Sequence, residues 1–337
     1  MGYSLRGPLE RALRIIGVLL YRAHLHRAII TARRRRVRVV GYHACQEEEN
    51  DWIAGLASNT PPADLRTHIA YLCEHYTVIS LEQLERGDLP DRPVLLTFDD
   101  GYRSVYLDAY PILRARGLPA TVYVLSSAVD NRAMVWVNEL NWFMRRHRDV
   151  TIPIVTSRLG LPATSDAEEV LAVLSDKYDR TLVTSLLVEI RRRTGVNAEA
   201  LAVEADLYLT WDQIREMAQH GVSFGNHTAT HPNLSRLSDA DQRSEMSACR
   251  DALRAHGLQC TSLALPFGVA GPASRRLAAE LGHRSVMEVG GGNQKLDLLR
   301  VGRHFADAST EEELFAELEV VAPIVSWWRR LQSRRRG

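Results

Sequence analysis

Compact apolar runs recur along the chain at 94–98, 121–125, 222–225, 262–265, 285–289 and 298–301. Each is four or five residues long with little polar alternation, the pattern of a strand covered on both faces. Segments with helical spacing lie between them, at 104–116, 210–220, 239–256 and 273–281. Gly117, Gly221, Gly257 and Gly282 follow these segments at the positions where a left-handed residue ends a helix. An earlier β-branched stretch, Val37-Arg38-Val39-Val40, runs into Gly41-Tyr42-His43 and predicts the first core strand, with the folded domain starting near residue 37. Strands alternating with helices in this way predict a parallel α/β sheet or barrel.

Two regions depart from that rhythm. Residues 135–208 hold helical patterns at 139–148, 167–177 and 181–194 without clear strands, and predict a helical insertion near the mouth of the scaffold. At the other departure, Leu9, Leu13, Ile16 and Leu20 fall on one helical face and Arg11, Arg14 and Arg22 on the other. This spacing predicts a basic amphipathic helix, blurred by Ile15 and Val18 on the arginine side. The expected organisation is a basic segment 1–38, a barrel over 39–320 carrying the insertion, and a basic Trp-containing tail 321–337.

Charge sharpens this division. The chain of 337 residues has a formal net charge of +1, yet residues 1–38 carry +9, residues 321–337 carry +5, and the body between them carries −13. Arginine outnumbers lysine by 40 to 2, a bias that codon usage explains, so nucleic-acid binding is not inferred. The clustering of charge at both ends, beside Leu9 to Leu20 and beside Trp327-Trp328, is instead the composition of a peripheral anchor on an anionic membrane. No run of 18 apolar residues occurs. Cys45, Cys73, Cys249 and Cys260 lack metal or redox spacing, and residues 15–21 lack a cleavage site, so the expected location is cytoplasmic, against the inner membrane face.

Candidate chemistry lies at the ends of three apolar runs. Thr97-Phe98-Asp99-Asp100-Gly101-Tyr102 carries two adjacent carboxylates out of a strand, where a parallel α/β fold builds its sites. His227-Thr228-Ala229-Thr230-His231 follows the 222–225 run and offers two imidazoles four residues apart, a common metal-ligand pair. Together with Asp100 they make a two-histidine, one-carboxylate donor set. The third segment, Leu263-Ala264-Leu265-Pro266-Phe267-Gly268, ends its run in a turn whose amides could face the same mouth.

In this order and spacing the three segments resemble the motifs of the polysaccharide deacetylase family, also called the NodB-homology group or carbohydrate esterase family four, over residues 39–305. The resemblance implies a distorted (β/α) barrel of about seven strands and metal-dependent removal of an N-acetyl group from an amino sugar. It implies Asp100, His227 and His231 as ligands of one divalent ion, zinc first and Co, Mn or Ni next, with Asp99 as catalytic base. The ion would acidify water and polarise the carbonyl, and the Phe267 N–H would help to hold the oxyanion. Tyr102 and His43, the latter in a Tyr-His pair similar to that of cell-surface and exopolysaccharide enzymes, are expected to contact substrate.

The chain departs from the family pattern twice. Ala264 stands where many members carry an arginine that orients the base, and no clean Leu-x-His motif supplies a general acid. Arg300-Val301-Gly302-Arg303-His304 lies in the right region, so His304 is the expected acid and Arg303 or Arg300 the expected partner of Asp99. The expected substrate is an N-acetylated amino-sugar glycan or a lipid-linked saccharide. Alternatives at the same site are a sugar deformylase, an O-acetyl esterase, or a glycan-binding module without catalysis.

Overall fold

The computed structural model describes residues 7–290, 293 and 295–325. Eight strands form in chain order: β1 (Arg38–Tyr42), β2 (Thr77–Ile79), β3 (Pro93–Phe98), β4 (Ala120–Val124), β5 (Val222–Asn226), β6 (Ser262–Ala264), β7 (Ser285–Val289) and β8 (Val301–Phe305). All neighbouring pairs are parallel. The order β1-β8-β7-β6-β5-β4-β3 closes when β3 pairs back onto β1 from Arg38↔Val94 to Tyr42↔Phe98, giving a seven-stranded (β/α) barrel. β2 pairs only with the first half of β3, and β4 with its last two residues. β2, three residues long with Thr77 exposed, was too brief to stand out in the sequence. The 298–301 run also divides differently from the expectation: 298–300 is a single 3-10 turn, and the strand begins at Val301.

Because side chains alternate along a strand, each barrel strand feeds two cores. Val39, Leu95, Tyr123, Ala264, Met287 and Val301 belong to one buried cluster inside the barrel. Val40, Leu96, Val122 and Val124 belong to the larger cluster beneath the surrounding helices. The alternation continues to the carboxyl ends, so Thr97 and Asp99 follow Leu95 inward, and Arg303 follows Val301. The four glycines expected to end helices all have left-handed φ values, between 62° and 90°.

The insertion is helical as expected, with helices Trp136–Arg146, Arg148–Leu159, Ala167–Asp176, Arg180–Thr194 and Ala198–Ala205. Its first helix is tied to the fourth by the buried Glu139, which accepts from Arg191 at 2.6 Å.

The basic N-terminal segment packs differently from the expected amphipathic pattern. Helix Pro8–Arg22 lies along the segment 311–325, with Leu13 and Gly17 buried and Leu20 partly so. A Cβ at Gly17 would run into the Ala316 backbone and methyl, so the close approach of the two helices requires glycine there. Leu9, Ile15, Ile16 and Leu19 instead face solvent. The helix therefore has one broad apolar sector, packed along one half and exposed along the other, and Ile15, which blurred the pattern in the sequence, lies at its exposed edge.

The arginines before β1 are not a solvated tail either. Arg36 and Arg38 are buried around the carboxylate of Glu319, itself 1% exposed, which accepts from Arg38 Nε at 2.8 Å and from the Tyr76 hydroxyl at 3.1 Å. Arg33 lies 3.3 Å from the same carboxylate. One buried acid thus offsets several arginines and joins the start of the barrel to the C-terminal helical layer. Removing it leaves buried guanidinium groups without a counter-charge, which costs far more than an exposed ion pair. Glu319→Ala is expected to lower the unfolding free energy by about 3–5 kcal/mol, read as a lower denaturant midpoint, with a smaller loss for Glu319→Gln.

Candidate active site

Three loops meet at the carboxyl end of the barrel. After β3 the chain turns sharply: Asp99 N–H donates to the Tyr42 carbonyl at 2.9 Å, then Asp100 and Gly101 both take left-handed φ, 67° and 65°. After β5, Thr228 and His231 do the same at 74° and 60°. After β6, Pro266–Gly268 is one 3-10 turn with Phe267 at φ 58°. A left-handed β-branched residue such as Thr228 is strained, and four non-glycine residues in this region at one site mark backbone held in place by its surroundings.

The restraints on the His227–His231 turn are explicit. Asn226 Oδ1 accepts from Thr228 N at 2.7 Å, and Thr228 Oγ1 accepts from His231 N at 3.1 Å. Glu245, from the following helix, accepts from the backbone N–H groups of Ala229 and Thr230 and from the Thr230 hydroxyl. Trp136 of the insertion donates its indole N–H to the His231 carbonyl at 2.9 Å.

These turns bring Asp100, His227 and His231 together, with one donor atom from each lying within 4.8 Å of the others. His227 Nδ1 sits 2.9 Å from the Ala264 carbonyl, which makes Nδ1 the protonated nitrogen and leaves Nε2 as a lone pair. That lone pair is 3.3 Å from Asp100 Oδ1, and His231 Nε2 is 3.6 Å from the same oxygen. Asp100 Oδ1 is buried without a hydrogen-bond donor. Burial, foremost among its surroundings, pushes the His231 imidazole down to about 3, so it is neutral. A carboxylate oxygen and two imidazole nitrogens converging on one point fit a divalent cation, and the set suits zinc and its neighbours.

Asp99 lies beside this group, with Oδ2 4.0 Å from His227 Nε2. It is held by Arg303, whose two terminal nitrogens each donate to one carboxylate oxygen at 2.6 Å. Both residues are almost fully buried. Burial works to raise the Asp99 carboxyl, but the charge and hydrogen bonds of Arg303, with His227, outweigh it and hold the carboxyl below its ordinary range. Of the two arginines expected as partners, the geometry selects Arg303. Arg300 is exposed and lies 3.8 Å from Glu288. The small Ala264 belongs to the same interior cluster, and the guanidinium missing there comes from β8, stacked 5.4 Å over the Tyr123 ring.

The remaining expected residues separate. Tyr102 and His43 line the small cavity at this site with Phe267. Tyr102 stacks on Tyr208, and its hydroxyl accepts from Asn138 Nδ2 at 2.9 Å. The His43 ring stacks on Phe305 at 4.7 Å, and Phe267 meets the His231 ring edge-on at 4.6 Å. His304 does not join them. It follows the inward Arg303 by one residue, so strand alternation turns it to the outer face, where Nε2 lies 3.2 Å from Glu317. Val135, Val137 and Asn138, which the sequence did not single out, bring the insertion into the cavity wall. Their helical spacing was visible but nothing local tied them to the site. Trp327 and Trp328 lie outside the described residues.

A family model described as polysaccharide deacetylase matches residues 86–286. YxkH of Bacillus subtilis, a polysaccharide deacetylase by name, is 21% identical over 238 residues, covering 68% of this chain and 59% of that protein. The chain thus spans about three-fifths of that relative. A 75-residue stretch is 43% identical to the poly-beta-1,6-N-acetyl-D-glucosamine N-deacetylase of Escherichia coli K12, covering 20% of this chain and 11% of that one. Among solved structures, the Streptococcus pyogenes deacetylase PplD in complex with acetate superposes with a TM-score of 0.56 at 21% identity, covering 84% of this chain and 98% of that one. IcaB from Ammonifex degensii gives 0.55 at 18% identity, covering 85% and 97%. At these identities the structures show a shared fold. With the family model matched over most of the barrel, this chain belongs to the polysaccharide deacetylase family.

Proposed function

We propose that the protein is a metal-dependent amidohydrolase that removes the N-acetyl group from an amino sugar in a glycan or lipid-linked saccharide. The observation that carries this reading is the buried Asp99–Arg303 pair beside the convergent Asp100, His227 and His231. A divalent ion bound by those three residues would supply a Lewis acid that polarises the acyl carbonyl and acidifies water. Asp99 takes the proton of the attacking water, using a lone pair that Arg303 does not occupy. Arg303 keeps that carboxylate ionised and fixed in orientation. The Phe267 N–H is the donor assigned to the developing oxyanion. With His304 turned away, the proton received by Asp99 is returned to the leaving amine, so one carboxyl serves both half-reactions. Tyr102 and His43 bound the acyl pocket.

The protein should take up one divalent ion per chain, measured by calorimetry or metal analysis, and Asp100→Ala or His231→Ala should abolish uptake. Asp99→Asn should keep the metal and lose about a hundredfold or more in turnover, the range for removing a general base. Acetate release from N-acetylhexosamine glycans and lipid-linked sugars tests the reaction itself. Formate release or ester cleavage alone would redirect it to the corresponding acyl group, and uptake of neither metal nor substrate would leave only the fold.

For location, we propose peripheral contact with the inner, anionic face of a membrane. No helix among the described residues is long and apolar enough to cross one. Leu9, Ile15, Ile16 and Leu19 form an exposed apolar stripe, and of the arginines in the region 7–38 around it Arg11, Arg22, Arg27, Arg33, Arg34 and Arg35 are exposed. Val325 lines the same cavity as Glu10, Arg11 and Arg14, so the chain leaves the described residues beside this helix. The following sequence carries Trp327, Trp328 and five further arginines. Each arginine near an anionic surface contributes roughly 1 kcal/mol. Sedimentation with anionic liposomes should fall with added salt and with the substitutions Ile16→Ser and Leu19→Ser. These leave the packed stripe intact, unlike deletion of the helix. Self-association without lipid, lost in the same variant, would assign the stripe to a second copy instead.

A further inference from the structure

Arg303 fixes Asp99, so the geometry of the carboxylate depends on what fixes Arg303. Polar restraints on the guanidinium are few apart from Asp99 itself. Nη1 lies 3.4 Å from Thr97 Oγ1, and Nε, although buried, has no hydrogen-bond partner among the described residues. Its other neighbours are aromatic: Cζ lies 4.9 Å from the centre of the Phe305 ring and 5.4 Å from that of Tyr123. A ring face attracts a guanidinium without taking up its N–H groups, so the terminal nitrogens keep their bonds to the carboxylate. The attraction is strongest where water is excluded, and Arg303 and Tyr123 are both almost fully buried.

The barrel is shaped to admit these two rings. Gly41 is the cross-strand partner of Phe305, and Gly225 is that of Tyr123. A Cβ at Gly41 would stand 2.7 Å from the Phe305 ring, and one at Gly225 would overlap the Tyr123 ring. Each ring therefore occupies room left by a missing side chain on the neighbouring strand. The Tyr123 hydroxyl is committed elsewhere. It lies 2.7 Å from Ser262 Oγ, which lies 2.8 Å from Ser285 Oγ, and Ser285 donates to Glu85 at 2.7 Å. Ser262 and Ser285 are the first residues of β6 and β7, so this chain ties the phenol oxygen towards the amino end of the barrel. What Tyr123 offers Arg303 is its ring face.

We propose that Tyr123 is a positioning residue for the base: its ring face, together with that of Phe305, fixes the guanidinium that orients Asp99. Phe305 also lines the cavities at the barrel mouth, whereas Tyr123 lines neither the small cavity at the site nor the larger one beside helix Pro8–Arg22. Its route to the reaction is therefore through Arg303 and not through substrate. The inference rests on the reading of Asp99 as base given above.

The test compares the metal-loaded full chain with variants in which Tyr123 is replaced by Phe, by Leu and, through nonsense suppression, by a trifluorinated phenylalanine. The last keeps nearly the shape of Phe but withdraws electron density from the ring face. Acetate release from N-acetylhexosamine glycans is read as separate kcat and KM values, and circular dichroism checks folding. Tyr123→Phe should stay within about threefold of the wild-type kcat, while the fluorinated variant and Tyr123→Leu should fall about tenfold, the scale of one desolvated cation–π contact. KM and metal uptake should be unchanged. If Tyr123→Leu does not fold, the two phenylalanines still decide the matter, because they differ only in fluorine. Equal kcat for those two would overturn the proposal, and so would a loss carried by KM or by metal uptake. If the wild type releases no acetate, the deacetylase reading fails, and denaturant unfolding decides the contact separately. Fluorination should then lower the midpoint when Arg303 is present and not in Arg303→Gln, whereas equal shifts in the two backgrounds would overturn it.

Discussion

A carboxylate almost sealed from water at the mouth of a barrel stays ionised only if a cation is brought to it. Arg303 meets that constraint for Asp99 with two parallel hydrogen bonds of 2.6 Å, and much of the surrounding arrangement follows from it. The guanidinium needs an inward position on β8 and a flat neighbour, supplied by Tyr123. It also needs space on the facing strands, and Ala264 leaves it. With the charge of Asp99 already balanced, the charge of Asp100 remains available to the two histidines. Two adjacent aspartates thus acquire different partners, although they differ by only one position in the chain.

Strain and its restraint account for the rest of the site. Asp100, Thr228, His231 and Phe267 each hold a left-handed backbone that costs on the order of 1–3 kcal/mol, and each sits where a side chain must turn back across the barrel mouth. Hydrogen bonds from Asn226, Glu245 and Trp136 oppose relaxation of the longest turn. The insertion is therefore part of what holds His231 in place, and it also supplies Asn138 to fix Tyr102. Substitutions in it should be felt at the His231 carbonyl before they affect the barrel.

The barrel was legible because strands covered on both faces leave compact apolar runs, and six such runs with glycine-stopped helices between them admit few other architectures. The loops with Asp99, Asp100, His227 and His231 were legible because chemistry and strand ends coincide within a few residues. What escaped depended on contacts between distant residues. Arg303 and Arg300 looked equivalent until the start of β8 fixed which one points inward, and the same parity turned His304 away. Leu9 to Leu20 showed amphipathicity, but not that only the half of the apolar sector around Leu13, Gly17 and Leu20 is covered. Glu319, at the centre of the arginine cluster, lies some 280 residues from Arg38 and has no local signature.

The packing of helix Pro8–Arg22 on the segment 311–325 also constrains how the molecule is made. Gly17 meets Ala316, and Arg38 meets Glu319, across nearly the whole length of the chain. During synthesis this helix emerges with its whole apolar sector uncovered and waits for about 290 residues before its partner exists. Domains generally fold as units once their contacts are available, and loop closure over this length makes that contact a late one. On the ribosome, then, the barrel strands can pair before the layer formed by helix Pro8–Arg22 and the segment 311–325 is in place.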